Sequence, residues 1–281
     1  MLHTSNKRLL QHVEDICAVS PFLDPEEYYP YALARKLETY LAASRARMEV
    51  LLGKFEEMDY TKKIQQWNYY DHECCNVIFR KGHARDDETW IVAHHDYCAA
   101  KGAEDNATAL SVMIETARLT SHLDLPVAFA SFDLEERDIR GAWEYVNRIP
   151  QKSLHRRIKQ IIDLECLGSG KDLLLIEKGH VLSDKKLNDR IDDIAESLDI
   201  NLIRADCHSS YADHVPFAKK GIPVTQMAST DYDGLRACHG RPKNLQSIGL
   251  ISHSEKDIPA NIRPKHLMHT TQILTAFLQQ S

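Results

Sequence analysis

The chain has 281 residues, 43% of them hydrophobic and 27% charged, with a formal net charge of -6. This is the make-up of a globular protein, and the acidic balance argues against broad binding to nucleic acid. No run approaches the roughly 18 apolar residues of a membrane span, so no membrane association is expected. The start, "MLHTSNKRLLQHVEDIC", lacks the apolar centre of a signal peptide. Seven cysteines (Cys17, Cys74, Cys75, Cys98, Cys166, Cys207 and Cys238) form no C-x-x-C pair. Reduced thiols and a cytoplasmic location are therefore expected.

In chain order, residues 5–19 and 26–53 carry apolar positions at helical spacing. The second of these opens on an acidic turn after Pro25, and Pro30 is placed to break or restart it. The period then changes. "CCNVIFRK" and "ETWIVAHHD" read as strands, "NATALSVMIETARLTSHL" as a helix, and "LPVAFASFDLEE" as a strand. "GAWEYVNRI" is helical, and "IKQIIDLECLG" and "KDLLLIEKG" are strands. "SDKKLNDRIDDIAESLDI" is a helix expected to open at Ser183. "NLIRAD" and "GIPVTQMAS" are short strands, and "RPKHLMHTTQILTAFLQQ" is a closing amphipathic helix. Strands rich in Val, Ile and Leu that alternate with helices predict an α/β three-layer sandwich with a central mixed, largely parallel sheet. No repeat or linker interrupts residues 1–281, so one domain is the simplest reading.

In such folds ligands bind beyond the carboxyl ends of the strands. Those ends are rich in metal-ligand residue types: His94 and Asp96, then Asp133, Glu135 and Glu136, then Glu165. Asp105 precedes a helix, where main-chain N–H groups stabilise a carboxylate, and His253 follows a later apolar run. Histidines with carboxylates suit zinc or another borderline divalent ion. If the strand continues through Asp96, His94 and Asp96 share one face and His95 takes the other. Asp96 then suits the role of orienting the His94 ring. Adjacent residues of a regular strand face opposite ways, so Glu135 and Glu136 reach one site only if the strand ends or turns there. Residue types alone do not separate their roles. The sequon Asn106-Ala107-Thr108 lies in this stretch, where a glycan would obstruct a site.

These residues resemble the M28-type zinc aminopeptidases, with their co-catalytic metals and zinc-exopeptidase fold. "AHHD" supplies His94 and Asp96, "GAEDN" supplies Asp105, and "DLEE" supplies Glu135 and Glu136. "LECLG" supplies Glu165, "SHSEKD" supplies His253, and "DHVPFAKKGIP" also fits. The resemblance runs from about Asn76 to the C-terminus. It implies a bridging Asp105 between two zinc ions, with cobalt or manganese as alternatives. Glu136 and His253 would hold one ion, and His94 and Glu165 the other. Glu135 would be the general base toward a metal-bridging water, and Asp96 would orient His94. The implied activity is a metal-dependent aminopeptidase that hydrolyses the N-terminal bond of a peptide or small amino-acyl substrate.

The sequence departs from the family in places. Glu165 stands where aspartate is usual, and "RDIRGAW" replaces a run of small residues after Glu136. Related glutaminyl-peptide cyclases keep one zinc held by Asp, Glu and His. They tend to have Asp-Ser where this chain has Asp105-Asn106, and an aromatic residue where Ser252 precedes His253. A carboxypeptidase or dipeptidase on the same core would need a cation for the substrate carboxylate, for which Arg236 or Lys101 is available. A non-catalytic scaffold is disfavoured because every metal position keeps a competent residue. Asp231, Asp233, Arg236 and His239 border the pocket or form a solvated loop. His214 lines the pocket or is structural. His208 beside Cys207 lacks the third group of a thiol nucleophile, and Cys98 reads as a small buried thiol. His266 and His269 are too few ligands for a second metal site. Nothing in the sequence indicates an oligomeric state or a side-chain preference.

Overall fold

The apolar runs become the inner strands of one eight-stranded sheet. The computed structural model describes residues 3–25, 37–207, 210–233 and 248–280. In chain order the strands are β1 (Thr61–Tyr69), β2 (His72–Arg80), β3 (Glu88–His94), β4 (Val127–Phe132), β5 (Ile158–Glu165), β6 (Asp172–Lys178), β7 (Leu202–Asp206) and β8 (Val224–Thr230). Their spatial order is β1-β2-β4-β3-β5-β8-β6-β7. The central pairings β4–β3, β3–β5 and β5–β8 are parallel, as is β6–β7, while β1–β2, β2–β4 and β6–β8 are antiparallel. This is the mixed, largely parallel sheet that the pattern of strands and helices predicts.

The helices are α1 (Asn6–Ala18), α2 (Leu37–Glu56), α3 (Thr108–Thr120), α4 (Arg140–Arg148), α5 (Gln151–Arg157), α6 (Lys185–Ser197), α7 (His214–Lys219) and α8 (Pro264–Gln279). β3 and β4 are buried along their whole length and sort their side chains by parity. Ile91, Ala93 and Phe129 join Val13 of α1, Met113 of α3, Ile191 of α6 and Phe277 of α8. Trp90, Val92 and Phe132 face Tyr145 of α4, Leu154 of α5 and Phe217 of α7. Two apolar cores, one on each side of the sheet, make the three layers.

Some local expectations are corrected. β1 escapes a reading by hydrophobic period because "TKKIQQWNY" is an exposed edge strand, and its Lys62 and Lys63 suit an edge that must not pair further. The hydrophobic period does not mark the short helices α5 and α7 either, since each spans two turns or fewer. Asp184, not Ser183, caps α6: its carboxylate accepts the Leu187 N–H at 2.9 Å, while the Ser183 hydroxyl donates to the Ile176 carbonyl at 2.5 Å. Of the predicted helix at 26–53, the part before Leu37 lies outside the described residues. Among the described residues, no helix is long and apolar enough to cross a membrane.

Candidate metal centre

The strand expected to run through Asp96 ends at His94, and the chain turns there. His94 Nδ1 lies 3.0 Å from the Asp96 main-chain oxygen and 3.3 Å from Asp96 Oδ1, so Asp96 meets the ring from the turn. Its carboxylate has further work. Oδ1 accepts the Glu135 N–H and Oδ2 the Glu136 N–H, each at 3.1 Å, and the Tyr40 hydroxyl also donates to Oδ2. Burial alone would raise this carboxyl, but its bonds from His94 and Tyr40 hold it below the usual range. β4 ends at Phe132, and Leu134 takes a positive φ of 58°. That turn brings both glutamates to one cavity, which a continuing strand could not do.

Asp105 sits between two groups. Its Oδ1 is 3.1 Å from His94 Nε2, which is itself 3.4 Å from Glu165 Oε1. Its Oδ2 is 3.2 Å from His253 Nε2, which is 3.0 Å from Glu136 Oε2. The ligating atoms of His94, Asp105 and Glu165 lie within 4.8 Å of one another and are buried. Those of Cys98, Glu136 and His253 meet the same limit. Among the described residues no ion pair involves Glu135. It lines the adjoining cavity, about 140 Å³, with Asp105, Glu136, Glu165, Tyr211, Gln226 and His253.

Neighbouring loops hold these residues from behind. Gly102, at φ 52°, passes so close to Tyr97 that a Cβ would stand 2.4 Å from the Tyr97 Cβ. Arg47, wholly buried, donates to the Gly102 carbonyl at 2.8 Å and to the Lys101 carbonyl. Asn106 is buried under the cluster, donating to the Leu164 carbonyl and accepting from the Cys166 N–H, so this sequon is not a surface acceptor. Glu104 accepts the N–H groups of Ile251 and Ser252 at 2.8 and 3.1 Å and fixes the segment that carries His253. Asp257 in turn accepts the Glu104 N–H. His253 itself has a positive φ of 55°, an uncommon conformation found where surroundings over-determine the backbone. Sequence reasoning did not single out Tyr40, Arg47, Glu104 or Asp257. The adjacency of Glu104 to Asp105 was the one available signal.

Carboxylates outnumber imidazoles here. Burial pushes Glu165 up to about 8, and Asp105 and Asp163 add to this against the pull of His94. Burial, with Glu165, Asp213 and Glu136 nearby, raises Glu135 well above its ordinary value. Burial would lower His94, but Glu165, Asp105 and Asp96 outweigh it and raise the imidazolium. Glu136 is the largest influence raising His253. A buried excess of negative charge calls for cations or protons to neutralise it. A tetrahedron with bonds of about 2.0–2.1 Å to its metal has edges of about 3.3–3.4 Å. The contacts of Asp105, Glu136 and Glu165 with the two histidines, at 3.0–3.4 Å, fit edges of that size.

The remaining candidates lie elsewhere. His95 is buried with Nδ1 2.9 Å from the Ser131 hydroxyl, and burial pushes its imidazolium down to about 4. His214 is buried, pairs with Asp163 at 2.7 Å and is not among the residues that line the cavity. Asp133 accepts from the Ser44 hydroxyl and the Cys75 N–H. Asp231 accepts the Lys171 N–H, and Asp233 pairs with the Lys171 ammonium. Lys101 is turned to the Ser20 carbonyl. His266 and His269 face each other at 6.2 Å without forming a metal-ligating group. His208, Arg236, Cys238 and His239 lie outside the described residues.

Sheet order, buried histidine–carboxylate cluster and adjoining cavity together define a metallopeptidase-like protein. More narrowly, residues 76–278 match peptidase family M28, and the chain belongs to that family. Aminopeptidase YwaD of Bacillus subtilis (strain 168) is 24% identical over 205 residues, which cover 69% of this chain and 41% of that protein. The chain thus spans about two fifths of the length of this curated relative. A zinc aminopeptidase of Bacillus subtilis, BSAP, superposes with a TM-score of 0.79 at 14% identity, covering 100% of this chain and 96% of that one. The Porphyromonas gingivalis glutaminyl cyclase superposes with a TM-score of 0.73 at 19% identity, covering 98% of each. At such identities these two likenesses speak for the fold.

Proposed function

We propose that this chain is a metal-dependent aminopeptidase working as one catalytic domain on peptides or small amino-acyl substrates. The observation that carries the reading is the position of Asp105, whose two oxygens face two separate histidine–carboxylate pairs. His94 and Glu165 would hold one ion, Glu136 and His253 the other, with Asp105 between them. Zinc suits these donors, and cobalt or manganese are the alternatives. When bound, the metal centre would acidify a water molecule and polarise the scissile carbonyl.

The chain's own groups do the rest. Glu135, which forms no ion pair among the described residues, is the base that takes the proton from the attacking water and hands it to the leaving amine nitrogen. Glu136 is tied to His253, which supports the division of labour between the two glutamates. Asp96 holds the His94 ring and the loop that carries both. The α-ammonium of the substrate would meet the carboxylates of Glu165 and Glu135. A small cavity of such acidity suits a free, cationic N-terminus.

Glutaminyl cyclisation is the second reading, favoured by the end-to-end match with the Porphyromonas gingivalis cyclase. Ser252 and Asn106 weigh against it. The test is amino-acid release from paired free and N-acetylated peptides, before and after chelation. Hydrolysis restricted to free N-termini, lost on chelation and restored by zinc, is expected. Equal cleavage of acetylated peptides, or activity indifferent to chelation, would overturn the reading.

A further inference from the structure

Among the described residues two side-chain groups could hold a metal ion, and Cys98 is the one member that neither the aminopeptidase pattern nor the mechanism uses. It lies in the loop after β3, two residues beyond Asp96. That loop is pinned on both sides of it. The Tyr97 hydroxyl donates to the Pro21 carbonyl at 2.9 Å, and the Tyr97 ring lies under the Arg47 guanidinium at 3.9 Å. Ala100 and Leu23 exchange main-chain hydrogen bonds at 2.7 and 2.8 Å. Held in this way, the thiol has a ligating atom within 4.8 Å of those of Glu136 and His253. A second observation points the same way. The Glu136 side chain is only 6% exposed, yet its Oε1 has no hydrogen-bond partner. A buried carboxylate oxygen without a partner is costly unless a cation meets it.

We propose that Cys98 is a ligand of the ion held by Glu136 and His253. With Asp105 Oδ2, that position would have four protein donors, one of them a thiolate. The other position, His94, Asp105 Oδ1 and Glu165, would have three and stay open. Four protein ligands including sulfur are the pattern of a closed zinc position, and three with one vacancy the pattern of a working one. A thiolate also favours zinc over manganese, which prefers oxygen. On binding, the S–H proton leaves to solvent as the sulfur–metal bond forms, with no change of oxidation state. The two positions are therefore unequal: the Cys98 side holds its ion tightly and the Glu165 side exchanges. This inference rests on the metallopeptidase reading above.

The test is cobalt substitution. The full chain is stripped with chelator, dialysed and reconstituted with Co²⁺, and its absorption is recorded with the bound cobalt measured by elemental analysis. A thiolate-to-cobalt charge-transfer band in the near ultraviolet is expected in the wild type. It should be lost in Cys98→Ala and kept in Cys166→Ala, whose sulfur lies 3.4 Å from Glu165 Oε1. Circular dichroism on each variant checks folding. If Cys98→Ala does not fold, Cys98→Ser, which keeps the size and loses the band, serves in its place. Bound cobalt with visible d–d absorption but no charge-transfer band, or a band that persists without Cys98, would overturn the role of Cys98 and leave the metallopeptidase reading intact. No cobalt bound at all would overturn both.

Discussion

Asp96 Oδ2 accepts the main-chain N–H of Glu136 at 3.1 Å, so the residue that orients one histidine also seats the acid facing the other. Through Oδ1 it seats Glu135 as well. The two halves of the cluster, which come from different strand ends, share this one buried carboxylate.

Asp96→Asn should therefore damage both halves. The amide has one acceptor oxygen for two main-chain donors and turns a donor toward groups that already donate. Metal affinity should fall about 10–100-fold, the usual result of removing such a supporting group. Elemental analysis after dialysis against dilute chelator reads it. Unchanged retention would show that Asp96 supports neither glutamate.

Glu135→Gln should lower turnover by about 10²–10⁴-fold, the range for loss of a general base. Bound metal should be unchanged, because Glu135 makes no ion pair with either histidine. Metal analysis beside steady-state kinetics decides. Loss of metal would reverse the roles of Glu135 and Glu136.

Chelation should lower the melting temperature and zinc should restore it. Binding to the folded state alone stabilises it by about 2.7 kcal/mol at 100 times Kd. Without a cation, Asp105, Glu136 and Glu165 are left with two imidazoles between them. Scanning fluorimetry with graded zinc is sufficient, and a flat response would contradict a resident metal.

A pH-dependent anchor lies away from the site. Glu115 of α3 is buried and pairs with Arg118 at 2.8 Å and with Arg8 of α1 at 3.1 Å. Burial would raise its carboxyl, but hydrogen bonds from Arg118 and Arg8, with the His12 ring 3.9 Å away, outweigh that and hold it well below its ordinary 4.5. A lowered folded-state pKa adds stability above the unfolded value, and that stability is lost as pH falls through the acid range. Glu115→Gln should cost about 1–2 kcal/mol at neutral pH, allowing for the partial exposure of both arginines. The deficit should shrink as the pH drops below 4.5. Denaturant melts across pH read it, and a deficit independent of pH would assign the loss to packing.

Much of this was legible in the chain. Val, Ile and Leu runs bounded by polar turns mark β3, β4 and β5, because buried parallel strands must be apolar on both faces. Acids and histidines at their carboxyl ends stand out against that background, but choosing His94, Asp105, Glu136, Glu165 and His253 among the candidates took the family resemblance, because residue types alone leave Asp96, Asp133 and Glu135 equally open. Other features depend on contacts between distant segments. β1 is polar because it is an edge. Whether Glu135 and Glu136 share a site depends on the Leu134 turn, which no period announces. Tyr40, Arg47 and Glu104 act through partners 55 to 147 residues away. Cys98 looks like any small buried thiol until His253 is placed beside it.

The most direct test of the central reading is the product formed from a peptide with an N-terminal glutamine, incubated with zinc-reconstituted protein and analysed by mass spectrometry. An aminopeptidase releases free glutamine and leaves the peptide one residue shorter, and that is the result predicted here. A full-length peptide that has lost only ammonia, with no free glutamine, would contradict the account and assign the chain to cyclisation.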